Sequence, residues 1–401
     1  MKIAFFVTAF PTLSETFIAN QVIALQQSGH LVHIFSQQKP VTGPVHQMIT
    51  EAGLSGVTFY LDDIPQSRIS KVFTLVRKIL LNPFNKNIPG LFKAVLNNQS
   101  ALSVYNFIPF IDKPCYNVLH AHFGQNGNYV IQLRTLGLYK NARFITTFHG
   151  YDLDHTFAKN DYYTSLFNNC HLFTVNSLYS KNLLLQLGCN EDKVHLLPVG
   201  LDIKKFKPVL GIKEAADAPL QILFAGRLIE FKAPDRVIEI CKLLKINNRT
   251  RFRAVIIGDG VMLPILEKLL DEYDLNDEVK IEGPKTQEEI ISIMEHSDIF
   301  LYPGITYNGR AENQGLVIQE AQAMQLPVLV SDAGGMSEGV MDGVTGFVLP
   351  ENDLAGFAEK IELLAANADL REKMGEAGRR FVESKYNIEI LNKELLRLYQ
   401  N

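Results

Sequence analysis

The constraint that governs this chain is an alternation. Short β-rich apolar runs recur along most of its length, with amphipathic segments between them, in two successive series. The first series places strands at Ile3–Thr8, Leu31–Ser36, Val118–His122, Phe144–Phe148, Leu172–Asn176 and Val194–Leu197. Helical patterns lie between several of these, as from Ser14 to Gln27, where Ser14 suits an N-cap, Gly29 a stop, and Phe17, Val22 and Leu25 an apolar face. From Pro198 to Pro219 the pattern breaks, with three prolines, two glycines and no long apolar run. A second series follows at Ile222–Ala225, Ala254–Ile257, Val279–Glu282, Ile299–Tyr302, Val328–Ser331 and Phe347–Leu349. Two βα series predict an α/β protein of two Rossmann-like, doubly wound domains, with ligands at the carboxyl ends of the strands and an active site in the cleft between domains. The expected boundaries are 1–200, a linker at 201–219, 220–385, and a last helical segment at 386–401 free to pack back on the first domain.

Bulk composition narrows the class. With 401 residues, 47% hydrophobic and 20% charged, the chain can bury two cores and does not read as disordered. Cys115, Cys170, Cys189 and Cys241 are scattered with no C-x-x-C pair, which argues against a disulfide framework or a zinc site and for a reducing cytosol. The apolar run Ile3–Phe10 leads into Pro11 and Glu15, so it reads as a buried strand rather than a signal peptide. No uncharged stretch reaches the roughly 18 to 20 residues that span a bilayer. Residues 1–205 carry a net +6 and the remainder −10, which suggests modules facing different partners.

The chemistry concentrates in two loops of the second series. After the strand Ile299–Tyr302 comes Arg310-Ala-Glu312-Asn313-Gln314-Gly315-Leu316-Val-Ile-Gln-Glu320. Gly315 near a helix start lets a ligand approach backbone N–H groups, which favour phosphate or sugar oxygens. Glu312 in the loop and Glu320 inside the helix are acceptor-only groups, and each can grip a pair of vicinal hydroxyls. Taken alone, they also suit a first-turn carboxylate and an exposed helical one. After the strand Ile222–Ala225 comes Gly226-Arg227-Leu-Ile-Glu-Phe-Lys232. A departing diphosphate develops negative charge, which fixed cations such as Arg227 and Lys232 can stabilise without a metal; two solvated surface charges are the plainer alternative.

Taken together, the Arg-x4-Lys and Glu-x7-Glu patterns in a βα repeat, with a second βα domain ahead, resemble the retaining GT-B glycosyltransferases of family 4, over nearly the whole chain. The resemblance implies that Arg227 and Lys232 bind the donor diphosphate. It further implies that Glu312 contacts the donor sugar, with the backbone of Asn313, Gln314, Gly315 and Leu316 nearby, and that Glu320 holds the ribose hydroxyls. In Thr147-Phe-His149-Gly150-Tyr-Asp152 it gives His149 a place beside the donor sugar, while His120 and His122 end the preceding strand and could face the acceptor. The loop Gly283-Pro-Lys285 is a candidate for contact with the nucleotide through Lys285. The first strand-to-helix loop departs from the common glycine pair and reads Phe10-Pro11-Thr12-Leu13-Ser14-Glu15-Thr16-Phe17, similar to the subgroup that makes colanic-acid-type and other exopolysaccharides. Thr12, Ser14, Glu15 and Thr16 are its candidates for contact with phosphate or acceptor. The expected reaction moves a hexose, from UDP-glucose or a related UDP-hexose in preference to GDP-mannose, to a lipid-linked or oligosaccharide acceptor with retention and no metal or other cofactor. A sugar-nucleotide epimerase on the same fold and an inactive nucleotide-sugar-binding partner are the rivals.

Two lookalikes carry less. Asp152-Leu-Asp154 mimics a D-x-D metal motif, but its position after His149-Gly150 suits a helix-capping role. Gly258-Asp-Gly260 lacks the third glycine of a dinucleotide fingerprint, since Leu263 stands there. Finally, Ile64 to Ile111 holds no Asp or Glu but contains Arg68, Lys71, Arg77, Lys78, Lys86 and Lys93 among apolar residues. That composition suits either peripheral contact with an anionic membrane at the inner face of the plasma membrane, or a core-packing helix with solvated lysines.

Overall fold

The computed structural model describes residues 1–12, 16–40, 47–63, 67–85, 88–89, 108–153, 161–208 and 218–400. The chain divides into two compact units. Unit 1 comprises Met1–Asn176, Ser180–Leu197 and Asn392–Asn401; unit 2 comprises Ser177–Tyr179 and Pro198–Leu391.

Unit 1 is built on a seven-stranded sheet of β1 (Lys2–Ala9), β2 (Leu31–Gln38), β3 (Thr58–Tyr60), β4 (Val118–His122), β5 (Arg143–Phe148), β6 (Leu172–Val175) and β7 (Val194–Leu196), in the order β3-β2-β1-β4-β5-β6-β7. Every pairing is parallel; Ile3 faces Val32 on one side and Val118 on the other. Ile3 through Val7 are all buried, as expected of an inner parallel strand covered on both faces. Every strand of this sheet falls within two residues of its apolar run in the sequence except β3, a three-residue edge strand that follows the left-handed Gly53 and a 3-10 turn at Leu54–Val57.

Unit 2 carries a six-stranded parallel sheet, β8 (Leu220–Ala225), β9 (Phe252–Ile257), β10 (Val279–Ile281), β11 (Ile299–Tyr302), β12 (Val328–Ser331) and β13 (Gly346–Leu349), in the order β10-β9-β8-β11-β12-β13. In both sheets the order reverses beside the first strand, between β1 and β4 and between β8 and β11. These are the switch points where loops from neighbouring strands diverge and leave a crevice for ligand. The proline-punctuated stretch is partly core: Leu201, Ile203 and Phe206 are buried in unit 2, and Leu201 bridges Asn387. A helix spans Ile388–Gln400; its end belongs to unit 1, where the buried Tyr399 hydroxyl lies 2.6 Å from His120 Nδ1. Among the described residues no helix is long and apolar enough to cross a membrane.

Candidate active site

The switch point of unit 2 brings the two charged loops together. β8 and β11 are hydrogen-bonded neighbours, with Ile222 opposite Ile299, so the segments leaving their carboxyl ends meet. After β8 the chain runs through Gly226 and a short 3-10 turn at Glu230–Lys232, then turns at the left-handed Ala233 into the helix Pro234–Asn247. Lys232 Nζ lies 2.6 Å from Glu312 Oε2 and donates to the Tyr302 hydroxyl at 2.6 Å. Tyr302 donates in turn to Glu312 Oε2 at 3.0 Å, closing a triangle, and the Asn313 N–H reaches Glu312 Oε1 at 3.2 Å. The Lys232 and Glu312 side chains are only 14% and 16% exposed. Burial pushes the Glu312 carboxyl up, but the Lys232 charge and the three hydrogen bonds outweigh it and hold the group below its ordinary value. The triangle therefore stores a carboxylate and an ammonium in a mostly dry place, where each acts strongly on a ligand that displaces the other.

Tyr302 did not stand out in the sequence. Its ring stacks between Phe224 at 5.3 Å and Phe300 at 6.0 Å, and burial lifts its hydroxyl well above the usual phenol range, so it stays a neutral donor. Arg227 is exposed beside this group, close enough for its charge to act on Tyr302, and makes no hydrogen bond or ion pair with a described residue. Lys285 is paired with Glu282 at 3.4 Å.

Gly315 takes φ +67° and starts the helix Leu316–Ala323 with no side-chain cap. The two residues before it use their side chains structurally. Gln314 exchanges hydrogen bonds with Val199 N and O at 2.8 and 3.0 Å, and Asn313 Oδ1 accepts from Ser177 Oγ. Glu320 is half-buried; Gln287, the first residue of the helix Gln287–Glu295, donates to its Oε1 at 2.9 Å. Burial raises the Glu320 carboxyl, opposed by Gln287 and by the charge of Lys205.

Two glycine pairs brace these loops. A Cβ on Gly335 would lie 1.8 Å from Asn313 O, and one on Gly334, at φ +62°, would lie 2.3 Å from Glu312 O. The Gly335 N–H also bonds Glu312 O at 2.8 Å, so the turn after β12 presses directly on the Glu312–Asn313 backbone. Gly258-Asp-Gly260 does the same for the other loop: a Cβ on Gly258 would meet Gly226 O at 1.9 Å and one on Gly260 would meet Leu228 O at 2.3 Å. The motif thus seats the Arg227 loop.

Unit 1 gathers its histidines at the ends of β4 and β5. His122 Nδ1 is 3.0 Å from His149 Nε2, their rings stack at 5.3 Å, and Phe17 and Phe123 lie against His149. His120 has both nitrogens engaged, with Tyr399 and with Thr147 Oγ1 at 2.6 Å each. Burial holds His120 and His149 down at about 3 and drives His122 well below its ordinary value, so all three are neutral at physiological pH. His122 Nε2 is buried without a partner among the described residues. Asp152 is fully buried and accepts from Gly124 N at 2.8 Å and His149 N at 2.9 Å; burial pushes its carboxyl up to about 6. It therefore caps a helix start, that of Gly124–Thr135, and holds the His149 turn; Asp154 lies outside the described residues. Thr12 Oγ1 is buried without a partner among the described residues, and Thr16 opens the helix Thr16–Gln27. Ser14 and Glu15 lie outside the described residues.

Known proteins share both halves. Residues 14–205 match the Glycosyltransferase Family 4 model and residues 208–381 the model for Glycosyl transferases group 1. The chain is 31% identical, over all of both chains, to WcaL of Salmonella typhimurium, which is named for colanic acid biosynthesis. It is 30% identical to the amylovoran biosynthesis glycosyltransferase AmsK of Erwinia amylovora, covering all of this chain and 99% of AmsK. Among solved structures, a glycosyltransferase from Rickettsia africae superposes with a TM-score of 0.71 at 19% identity, covering all of this chain and 98% of that one. HepE of Anabaena, in complex with UDP, does so with a TM-score of 0.71 at 16% identity over the whole of both chains. At such identities these two speak for the fold alone, whereas the full-length relatives and the two family matches establish descent: the chain is a glycosyltransferase of the GT-B fold and belongs to the family that includes WcaL and AmsK.

Proposed function

We propose that this protein transfers a hexosyl group from a nucleoside diphosphate hexose to a hydroxyl of a lipid-linked or oligosaccharide acceptor, with retention, in the synthesis of an exopolysaccharide or other cell-surface polysaccharide. The observation that carries the reading is the largely buried triangle of Lys232, Tyr302 and Glu312 beside the exposed Arg227, which pairs with none of the described residues. A diphosphate entering beside Arg227 would draw the Lys232 ammonium away from Glu312 and leave that carboxylate to orient the hydroxyls of the donor sugar. The names of the full-length relatives support the polysaccharide context. HepE, solved with UDP and with UDP-glucose, is a precedent for a nucleotide sugar on this fold; a UDP-hexose, in preference to GDP-mannose, is the donor proposed for test.

In the proposed step the acceptor oxygen bonds to the anomeric carbon on the face from which the diphosphate leaves. The anomeric C–O bond breaks towards the diphosphate, and a diphosphate oxygen takes the acceptor proton. Arg227 and Lys232 stabilise the charge that grows on the leaving group, so no metal is required. Glu320 would grip the ribose and the first-turn N–H groups after Gly315 the phosphates. His149, half-buried and neutral, serves as neither acid nor base in this scheme and acts by hydrogen bonding and shape.

Labelled donor incubated with and without a lipid-linked acceptor tests the reading. Transfer or slow donor hydrolysis, unaffected by EDTA, is expected; epimerised donor, or no turnover at all, overturns it. The base is read by thermal shift, since a ligand at about 100 times its Kd adds about 2.7 kcal/mol. UDP and UDP-hexoses should raise the melting temperature more than GDP and GDP-mannose at equal concentration.

A further inference from the structure

The basic stretch that the donor chemistry leaves unused forms a helix at Arg68–Leu81, started by Ser67, whose hydroxyl accepts from Ser70 N. Only one side of it is used for packing: Leu75 and Ile79 lie against the core of unit 1. Beside that packed strip the helix carries further apolar residues, Ile69, Val72, Phe73, Val76 and Leu80, and all five are exposed, Ile69 by 85% and Phe73 by 68%. Leu81 and then Phe84, just beyond the helix and 96% exposed, extend the same apolar surface. A soluble helix normally buries its apolar stripe and wets the other face. This one carries apolar surface well beyond the strip it packs, and that part stays exposed.

The charges around the stripe indicate its partner. No Asp or Glu occurs between Ile64 and Ile111, against six Lys and Arg. Lys78 is partly neutralised by Asp112 at 3.1 Å. Arg77, exposed between Phe73 and Leu81 along the helix, makes no hydrogen bond or ion pair with a described residue. A second copy of the chain meeting this face symmetrically would bring two basic stretches together, with no acidic residue between Ile64 and Ile111 to pair with them. An anionic bilayer complements both features, since it takes apolar side chains below the headgroups and attracts cations at their level. Fourteen residues of helix measure about 21 Å, too short to span and suited to lying in the plane of the interface.

We propose that the outward face of Arg68–Leu81, with Phe84, docks the protein on a membrane rich in anionic phospholipid. The inference stands apart from the donor assignment, because vesicle binding is read without any sugar nucleotide. The test is flotation of the full chain with vesicles of phosphatidylcholine alone or mixed with phosphatidylglycerol. Wild type should float with the mixed vesicles, less so in high salt. The double change Phe73→Ser and Phe84→Ser should reduce the bound fraction about tenfold or more, Arg77→Glu should reduce it several-fold, and the paired Leu substitutions should keep it. Melting temperature and donor hydrolysis in solution should match wild type in all of them. Equal flotation of wild type and the Ser variant, or no dependence on anionic lipid, overturns the proposal. So does a concentration-dependent dimer in sedimentation, abolished by the Ser changes, without flotation; that outcome would assign the face to a second copy.

Discussion

Lys232→Ala separates the two jobs the geometry gives to one ammonium. In the resting protein Lys232 pairs with Glu312 at 2.6 Å, with both side chains about 15% exposed. Breaking a buried pair from one side costs about 3–5 kcal/mol, because the remaining charge is stranded. Glu312 would keep the Tyr302 hydroxyl and the Asn313 N–H, so the lower end, about 3 kcal/mol, is expected. Loss of one fixed stabiliser from a developing oxyanion costs a further and distinct amount, about 2.7–4 kcal/mol of barrier, or a factor of about 10² to 10³ in kcat. The assay is initial-rate transfer or hydrolysis with labelled donor, run well below the variant's melting temperature. The double variant Lys232→Ala, Glu312→Gln controls for folding: the neutral amide removes the stranded charge, so most of the lost stability should return while kcat stays low. If Lys232→Ala is folded and its kcat/KM lies within about twofold of wild type, the diphosphate role is wrong. If the double variant regains both stability and rate, Lys232 only holds the fold.

The ionisation of Glu312 gives a pH test. Its folded value lies below the ordinary 4.5, so the stability it contributes is fully present above 4.5 and is lost as the pH falls through the folded value. The stability gap between wild type and Glu312→Gln, measured by urea unfolding, should therefore be larger at pH 7 than at pH 3; a gap that widens in acid contradicts the pairing. Gly335→Ala should raise the donor KM about tenfold or more while the protein stays folded, since the added methyl would sit 1.8 Å from Asn313 O and displace the loop that carries Glu312. Gly343→Ala is the comparison: it has φ +72° but open space around its Cβ, so it should cost about 1 kcal/mol of stability and leave KM unchanged.

The strands were legible because inner parallel strands are buried on both faces and read as unbroken apolar runs, as Ile3 to Val7 and Ile299 to Tyr302 do. β3 was not, since three residues at an edge carry no period to detect. The stretch Pro198–Phe206 shows the opposite failure. It opens the stretch to Pro219 whose prolines and glycines read as a linker, yet Leu201, Ile203 and Phe206 enter the core of unit 2 singly, without a repeat that would announce it.

Side chains at the site divide along the same physical line. Arg227, Lys232, Glu312 and Glu320 were legible because charged residues at fixed offsets after strands have few structural reasons to be there. Each had an ordinary alternative, and none of those alternatives requires the others. What the fold adds is adjacency: β8 and β11 are neighbours, so residues eighty positions apart in sequence meet at 2.6 Å. Tyr302 was illegible because it sits in a four-residue strand that is buried throughout, where an aromatic is the expected filling and a working hydroxyl leaves no pattern. The Gly334-Gly335 and Gly258-Gly260 pairs were illegible for a different reason. Their necessity lies in the backbone they touch, in the loops that follow other strands, and only the sheet order brings that backbone near. The Glu-x7-Glu segment is thus held from three sides, by Lys232 and Tyr302 at its carboxylate, by Gly334-Gly335 at its backbone, and by Val199 and Ser177 at the side chains of Gln314 and Asn313. With Asn313 and Gln314 so anchored, their side chains act as supports, and what the segment offers a ligand is the first-turn backbone N–H groups of the helix that Gly315 opens.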